Sequence, residues 1–303
     1  MAAVVGGDAA ERAWGNDVVL CQLIQHLSPA SLAAVSSTDR RGWTYAVPRL
    51  WSRLEPQQIK SFRLLASTVG NPPLLRLGSH RCYGSLVRVL DLGMLAGRWD
   101  KVDYQHMSAI LANCSHLRTL DMSLCLSLRS SEFEGMMLAS REMCQSLADL
   151  DISEASFSVS SMLSALQLMP NLKSLNLTST QANDELMKAL SIHNKLLVHL
   201  NTTDCVDVTD TGIRWVVESC RSLSELIVID CPYVEDYTYL SQAGISYQWD
   251  ESIDTSPRGT GSETPSDDEG TNSFDESHDD ESTWSTTDNE SWDTTDGSGS
   301  GSE

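Results

Sequence analysis

Long apolar runs are missing from this 303-residue chain. No stretch nears the ~18 residues that a membrane helix needs, so no membrane is expected among its partners. The opening residues, MAAVVGGDAAERAWG, have neither the basic start nor the apolar stretch of a secretory signal. An intracellular protein, cytoplasmic or nuclear, is therefore expected, with its eight cysteines as reduced thiols. On that reading the four Asn-x-Ser/Thr sites, at Asn113, Asn176, Asn201 and Asn289, arise by chance. Basic residues are few, 21 against 42 acidic ones, and they form no stripe. Nucleic acid needs such a stripe, so it is not an expected partner either. Catalytic signatures are absent as well: no G-x-S-x-G, no H-E-x-x-H and no phosphate-binding G-x-x-x-x-G-K-S/T. There is no Cys-x-x-Cys pair and no histidine placed to complete a zinc site. The chain reads as a non-enzyme, with no catalytic residue, metal or cofactor.

What charge there is lies unevenly. Residues 250–303 hold 17 acidic residues and one basic, Arg258, whereas the preceding 249 residues hold 25 acidic and 20 basic. The tail is Asp, Glu, Ser, Thr and Gly with almost no aliphatic residues. It cannot bury enough apolar surface to offset the entropy of ordering, so 250–303 is expected to be disordered. Trp284 and Trp292 interrupt it, and Ser256, Thr264 and Ser266 are plausible phosphorylation sites.

The body is organised by a repeat. CSHLRTLDMSLC places Leu117, Leu120, Met122 and Cys125 in the frame L-x-x-L-x-L-x-x-N/C. The frame returns at Leu147, Leu150, Ile152, Ala155, and at Leu172, Leu175, Leu177, Thr180. It returns again at Leu197, Leu200, Thr202, Cys205, and at Leu223, Leu226, Val228, Cys231, with a weaker first copy at Val87, Leu90, Leu92. Successive starts are 30, 30, 25, 25 and 26 residues apart. Each copy predicts a short strand, with helices such as VDYQHMSAILANC and DVTDTGIRWVVESC between copies. The extra residues of the two long copies belong on the helical side.

This frame settles the cysteines. Cys125, Cys205 and Cys231 take the N/C slot, where a buried thiol packs and donates weakly to backbone. Cys114, Cys144 and Cys220 each lie three residues before the first leucine of a copy, so their spacing follows the repeat and not a ligand set. The frame resembles the cysteine-containing subtype of leucine-rich repeat over about residues 86–234. That resemblance implies an α/β solenoid, or horseshoe, of about six repeats over 86–249 including a C-terminal cap.

Such a solenoid turns one column to its concave face: Asp91, Asp121, Asp151, Asn176, Asn201 and Ile227. Three carboxylates at strand spacing form an acidic ladder. It is either a site for a basic peptide or only the usual LDL and LNL of this repeat. A second column, Gly93, Ser123, Ser153, Thr178, Thr203 and Ile229, is small and polar until its last member. Tyr233, Tyr237, Tyr239, Tyr247 and Trp249 follow, either capping the open end or forming a binding rim. The substrate-contact candidates are Asp91, Asp121, Asp151, Asn176, Asn201, Ile227, Ile229 and Tyr233.

Before the repeats, Val19, Leu20, Leu23, Ile24 and Leu27 lie at helical spacing. Ser28-Pro29 opens a second helix carrying Leu32 and Val35, and PRLWSRL gives a third apolar cluster. Three helices this small bury little alone, so they need a partner or an adjoining domain. DVVLCQLIQHLSP, Leu32 to Ser36, Arg40-Arg41 and PRLWSRL together resemble an F-box, although Gly15-Asn16 stands where that family opens with Leu-Pro. The segment from Phe62 to the first repeat resembles the linker of fungal F-box proteins. The resemblance implies docking onto a Skp-type adaptor, and through it a cullin, by Leu20, Leu23, Ile24, Leu27, Pro29, Leu32, Leu50 and Trp51. It also implies the substrate-receptor subunit of a ubiquitin ligase, which binds an unknown protein on its repeats. The alternative is a repeat scaffold, or a GTPase-activating repeat protein using Arg98 or Arg129. The expected organisation is a disordered 1–13, an F-box-like 14–55, a helical linker at 56–85, the solenoid at 86–249 and the acidic tail at 250–303.

Overall fold

The computed structural model describes residues 17–70, 83–95 and 101–248. Residues 1–13, Gly15-Asn16, Cys82, Arg98, Trp249 and the tail with its two tryptophans lie outside the described residues. So do the three phosphorylation candidates, Ser256, Thr264 and Ser266.

Three helices come first: α1 (Asp17–Gln25), α2 (Pro29–Ser36) and α3 (Arg40–Ser52). Ser28 caps α2 by accepting from Ser31 N, with Pro29 in the first helical turn, where its missing N–H costs nothing. Asp39 caps α3 by accepting from Gly42 N at 2.7 Å. Leu20, Ile24, Leu32 and Ala46 form the small core of this unit, with Leu27, Val35, Tyr45 and Leu50 packed around it.

α3 runs directly into β1 (Arg53–Leu54), which is the first strand of a single parallel sheet. α4 (Ile59–Val69) follows. Then come β2 (Val89–Asp91), α5 (Tyr104–Asn113), β3 (Thr119–Asp121), α6 (Ser130–Ala139) and α7 (Arg141–Ser146). After these come β4 (Asp149–Asp151), α8 (Val159–Leu166), β5 (Ser174–Asn176), α9 (Asp184–His193) and β6 (His199–Asn201). α10 (Asp210–Ser219), β7 (Glu225–Ile227), α11 (Thr238–Ala243) and β8 (Ser246–Gln248) complete the order. The eight strands lie in sequence order, each pairing with the next. The fold is an α/β solenoid with a parallel sheet on one side and helices on the other.

The repeat frame explains the register. Leu90, Leu120, Leu150, Leu175, Leu200 and Leu226 pair rung by rung and are at most 2% exposed. Each such leucine contributes about 1.5–3 kcal/mol through removal from water. α7 is the extra length of the second long copy, on the helical side. The sheet has two strands more than the six frames: β1 before them and β8 after them.

Strands of three residues make few hydrogen bonds, and a backbone device extends them. The residue before each N/C slot (Leu124, Glu154, Ser179, Asp204, Asp230) has φ between 53° and 59°. In the first four its N–H reaches a carbonyl in the next repeat, as in Leu124 N to Ser153 O at 2.8 Å and Asp204 N to Ile229 O at 2.9 Å. Left-handed backbone costs an ordinary residue roughly 1–2 kcal/mol, which the added rung offsets.

The thiols are part of the same scaffold. Cys205 Sγ donates to Leu177 O at 3.1 Å and Cys231 Sγ to Thr202 O at 3.0 Å, each tying one repeat to the one before. Asn194 takes the slot of Cys114, Cys144 and Cys220, and its Nδ2 donates to Met169 O at 2.8 Å. At the far end Tyr237 stacks on Tyr247 with ring centroids 6.0 Å apart, over buried Val234, Leu240 and Ile245. Tyr237, Tyr239 and Tyr247 pack against the core as a cap, whereas Tyr233 is 61% exposed.

Candidate functional site

Two surfaces bring the candidate residues together. On the open face of the sheet, Asp91, Asp121, Asp151, Asn176, Asn201 and Ile227 stand in one row, paired strand to strand. All six are half-buried. The row has a local task. In each repeat from β2 to β6, Oδ1 accepts the backbone N–H two residues on, at Gly93, Ser123, Ser153, Thr178 and Thr203, over 2.9–3.1 Å. Asp and Asn suit this position because their short side chains reach back to close such a turn. The regularity of the row is therefore accounted for by turn closure, and Asp and Asn serve that task equally.

What distinguishes the two halves of the row is the second oxygen or nitrogen. Asp151 Oδ2 accepts from Asn176 Nδ2 at 2.8 Å. Burial raises the Asp121 carboxyl above its ordinary pKa. Hydrogen bonds from Ser123 oppose this, and the neighbouring Asp151 and Asp91 charges add to it. The preceding row on the same face carries Thr119, Asp149, Ser174, His199 and Glu225. Thr119 Oγ1 donates to Asp149 Oδ2 at 3.0 Å, and His199 Nδ1 lies 3.0 Å from Glu225 Oε2. Between β4 and β7 these two rows line an open depression of about 400 Å³, with Asp151 at one end and Ile227 at the other. Half-buried Ile229 and exposed Tyr233 lie beyond Ile227, on the loop after β7.

The helical unit is the second surface. Leu20, Ile24 and Leu32 are at most 4% exposed and hold α1, α2 and α3 together, so they offer almost no area to another molecule. Trp51 packs against the repeat core and stacks on Tyr83 with centroids 4.6 Å apart, so its ring joins helix to solenoid. The outward residues of the predicted set are Leu23, 51% exposed, Pro29, and half-buried Leu27 and Leu50. Trp43 of the same unit is also exposed, at 39%. Sequence periodicity missed Trp43. Trp43 stands in the first turn of α3, directly after buried Gly42.

The remaining candidates have quieter surroundings. Arg129 pairs with Glu132 at 3.6 Å. Burial pushes the Cys125 and Cys144 thiols up to about 12, and those of Cys205 and Cys220 up to about 11, so they stay protonated near neutral pH. Cys21 in α1 is exposed. Among the described residues, no group of three His, Cys, Asp or Glu is placed to hold a metal ion, and no helix is long and apolar enough to cross a membrane.

No family model matches this chain. Solved structures do: 51 chains are similar to it. One belongs to a TLR13–ssRNA13 complex, with a TM-score of 0.35 and 16% identity, covering 49% of this chain and 23% of that one. The present chain thus spans about a quarter of that protein's length. Another belongs to the complex of Rad7 and Elc1 in yeast, with a TM-score of 0.29 and 11% identity, covering 79% of this chain and 81% of that one.

Proposed function

We propose that this protein is a non-catalytic receptor that brings a protein substrate to a Skp–cullin ubiquitin ligase in the cytoplasm or nucleus. On this reading α1–α3 form an F-box that docks on a Skp-type adaptor, and the open face of the sheet takes the substrate. One observation carries the proposal. Three short helices with a core of four buried residues leave Leu23 and Trp43 in solvent and Leu27 and Leu50 half covered. A unit this small gains by covering such a surface with a partner helix. The sequence features that resemble an F-box fall on the same three helices. The buried, protonated thiols of the repeats give no nucleophile for carrying ubiquitin, which suits a receptor and not a transfer enzyme.

The test is a titration of the full chain with a purified Skp-type adaptor, beside a Leu23→Glu/Leu27→Glu variant. We expect tight binding by the native chain and at least a hundredfold loss in the variant, with unchanged far-UV circular dichroism. Absence of binding by the native chain would overturn the proposal, as would binding indifferent to the two glutamates. Trp51→Ala is unsuitable as the control, because Trp51 supports the solenoid.

A further inference from the structure

The depression between β4 and β7 is asymmetric. Its Asp151 end continues into Asp149 and Asp121, a run of carboxylates on adjacent strands. Its other end, on β7, carries Glu225, engaged by His199 at 3.0 Å, and Ile227, where an aliphatic side chain replaces the Asp or Asn of the five earlier rungs. Nothing in the turn chemistry calls for that replacement, since every earlier turn is closed by a side-chain oxygen. Between the two ends lie Asn176 and Asn201, and Asn201 Nδ2 has no partner among the described residues.

The spacing of the ends is set by the sheet. Three strand intervals of ~4.8 Å separate β4 from β7, about 14 Å, and an extended chain covers that in about four residues. We infer that this depression binds an extended peptide carrying one aliphatic and one basic side chain about four residues apart, the aliphatic group on Ile227 and the cation on Asp149 and Asp151. This rests on the substrate surface proposed above and names the chemistry it selects. An ammonium or guanidinium group relieves the mutual repulsion of the carboxylate row, whereas an acidic or phosphorylated peptide adds to it. The aliphatic contact fixes register, because the earlier rungs of that row are polar. The free amide of Asn201 supplies a donor to a peptide carbonyl crossing the floor.

The experiment uses the full chain, ¹⁵N-labelled, titrated to millimolar concentration with acetyl-Gly-Leu-Ser-Gly-Ser-Lys-Gly-amide and with the same peptide in reverse order. Two controls replace its lysine by glutamate or its leucine by serine. One order is expected to give saturable shifts of the Asn176 and Asn201 side-chain amide signals. Asp151→Asn and Ile227→Asn should each weaken it about fivefold. Both substitutions install the residue that β5 and β6 already carry in this row, so the turns still close. Asp149→Asn repeats the charge test at a position outside those turns. Absence of saturable shifts with either order overturns the inference. So does equal response to the glutamate control, or binding unchanged by all three substitutions, which would locate it elsewhere on the acidic chain. The adaptor titration on the same preparations separates the two proposals: adaptor binding without peptide binding removes only this one.

Discussion

Asp121 shows how one residue serves the turn and strains the charge balance. Its Oδ1 closes the turn onto Ser123 N at 2.9 Å, yet burial and two flanking carboxylates raise its pKa. A carboxyl raised in the folded state holds its proton more tightly there than in the unfolded chain. Stability from this group is therefore lost as pH rises from its ordinary value through the raised one, and it stays lost at neutral pH. Asp121→Asn keeps the oxygen that closes the turn, as Asn176 and Asn201 do, and removes the charge. We expect a higher urea midpoint than the native chain at pH 7, and a gap that shrinks as the pH is lowered toward 4. A lower midpoint at pH 7 would show that the carboxylate is stabilising.

Among the repeat helices, α9 and α10 pack closely, and a glycine permits it. A Cβ on Gly212 would lie 2.3 Å from Asp184 Oδ1. That same Asp184 is held in place, accepting from Thr209 N at 2.9 Å and, through Oδ2, from Thr209 Oγ1 at 2.7 Å. Gly212→Ala must break these bonds or part the helices, a cost of about 1–3 kcal/mol by chemical denaturation. A neutral result would mean that Asp184 turns away freely. The elements also show what the sequence could reveal. Six strands and their helices were legible, because a leucine frame repeated at 25–30 residues leaves few alternatives. β1 was not: Arg53 and Leu54 read as the end of a helix, and pairing with β2 alone makes them a strand. β8 hid for the same reason, with Tyr247 opposite Leu226 where the frame expects leucine. In the candidate site the row itself was legible. Its role in closing turns was not, since an aspartate that caps its own turn and one that waits for a ligand look alike as letters.

At the scale of the whole molecule, β1 makes the helical unit continuous with the solenoid. The described residues all belong to one compact unit. Trp51, stacked on Tyr83, sits at the junction. We expect Trp51→Ala to lower the stability of the entire unit by about 2 kcal/mol, less than the 3–5 kcal/mol for a fully buried aromatic. Tryptophan fluorescence and far-UV circular dichroism should still report a single coincident urea transition. Two separated transitions would mean that the helices and the sheet fold independently.

That continuity gives the protein the properties of a ruler. The helices are joined to the first rung, and each later rung adds ~4.8 Å, so β7 stands about 29 Å along the sheet from β1. Each rung from β1 to β7 pairs directly with the next. Whatever is held at the helices and whatever is held at β4–β7 are thus kept at a set separation. Inserting one further 25-residue repeat between them would lengthen that separation by one step.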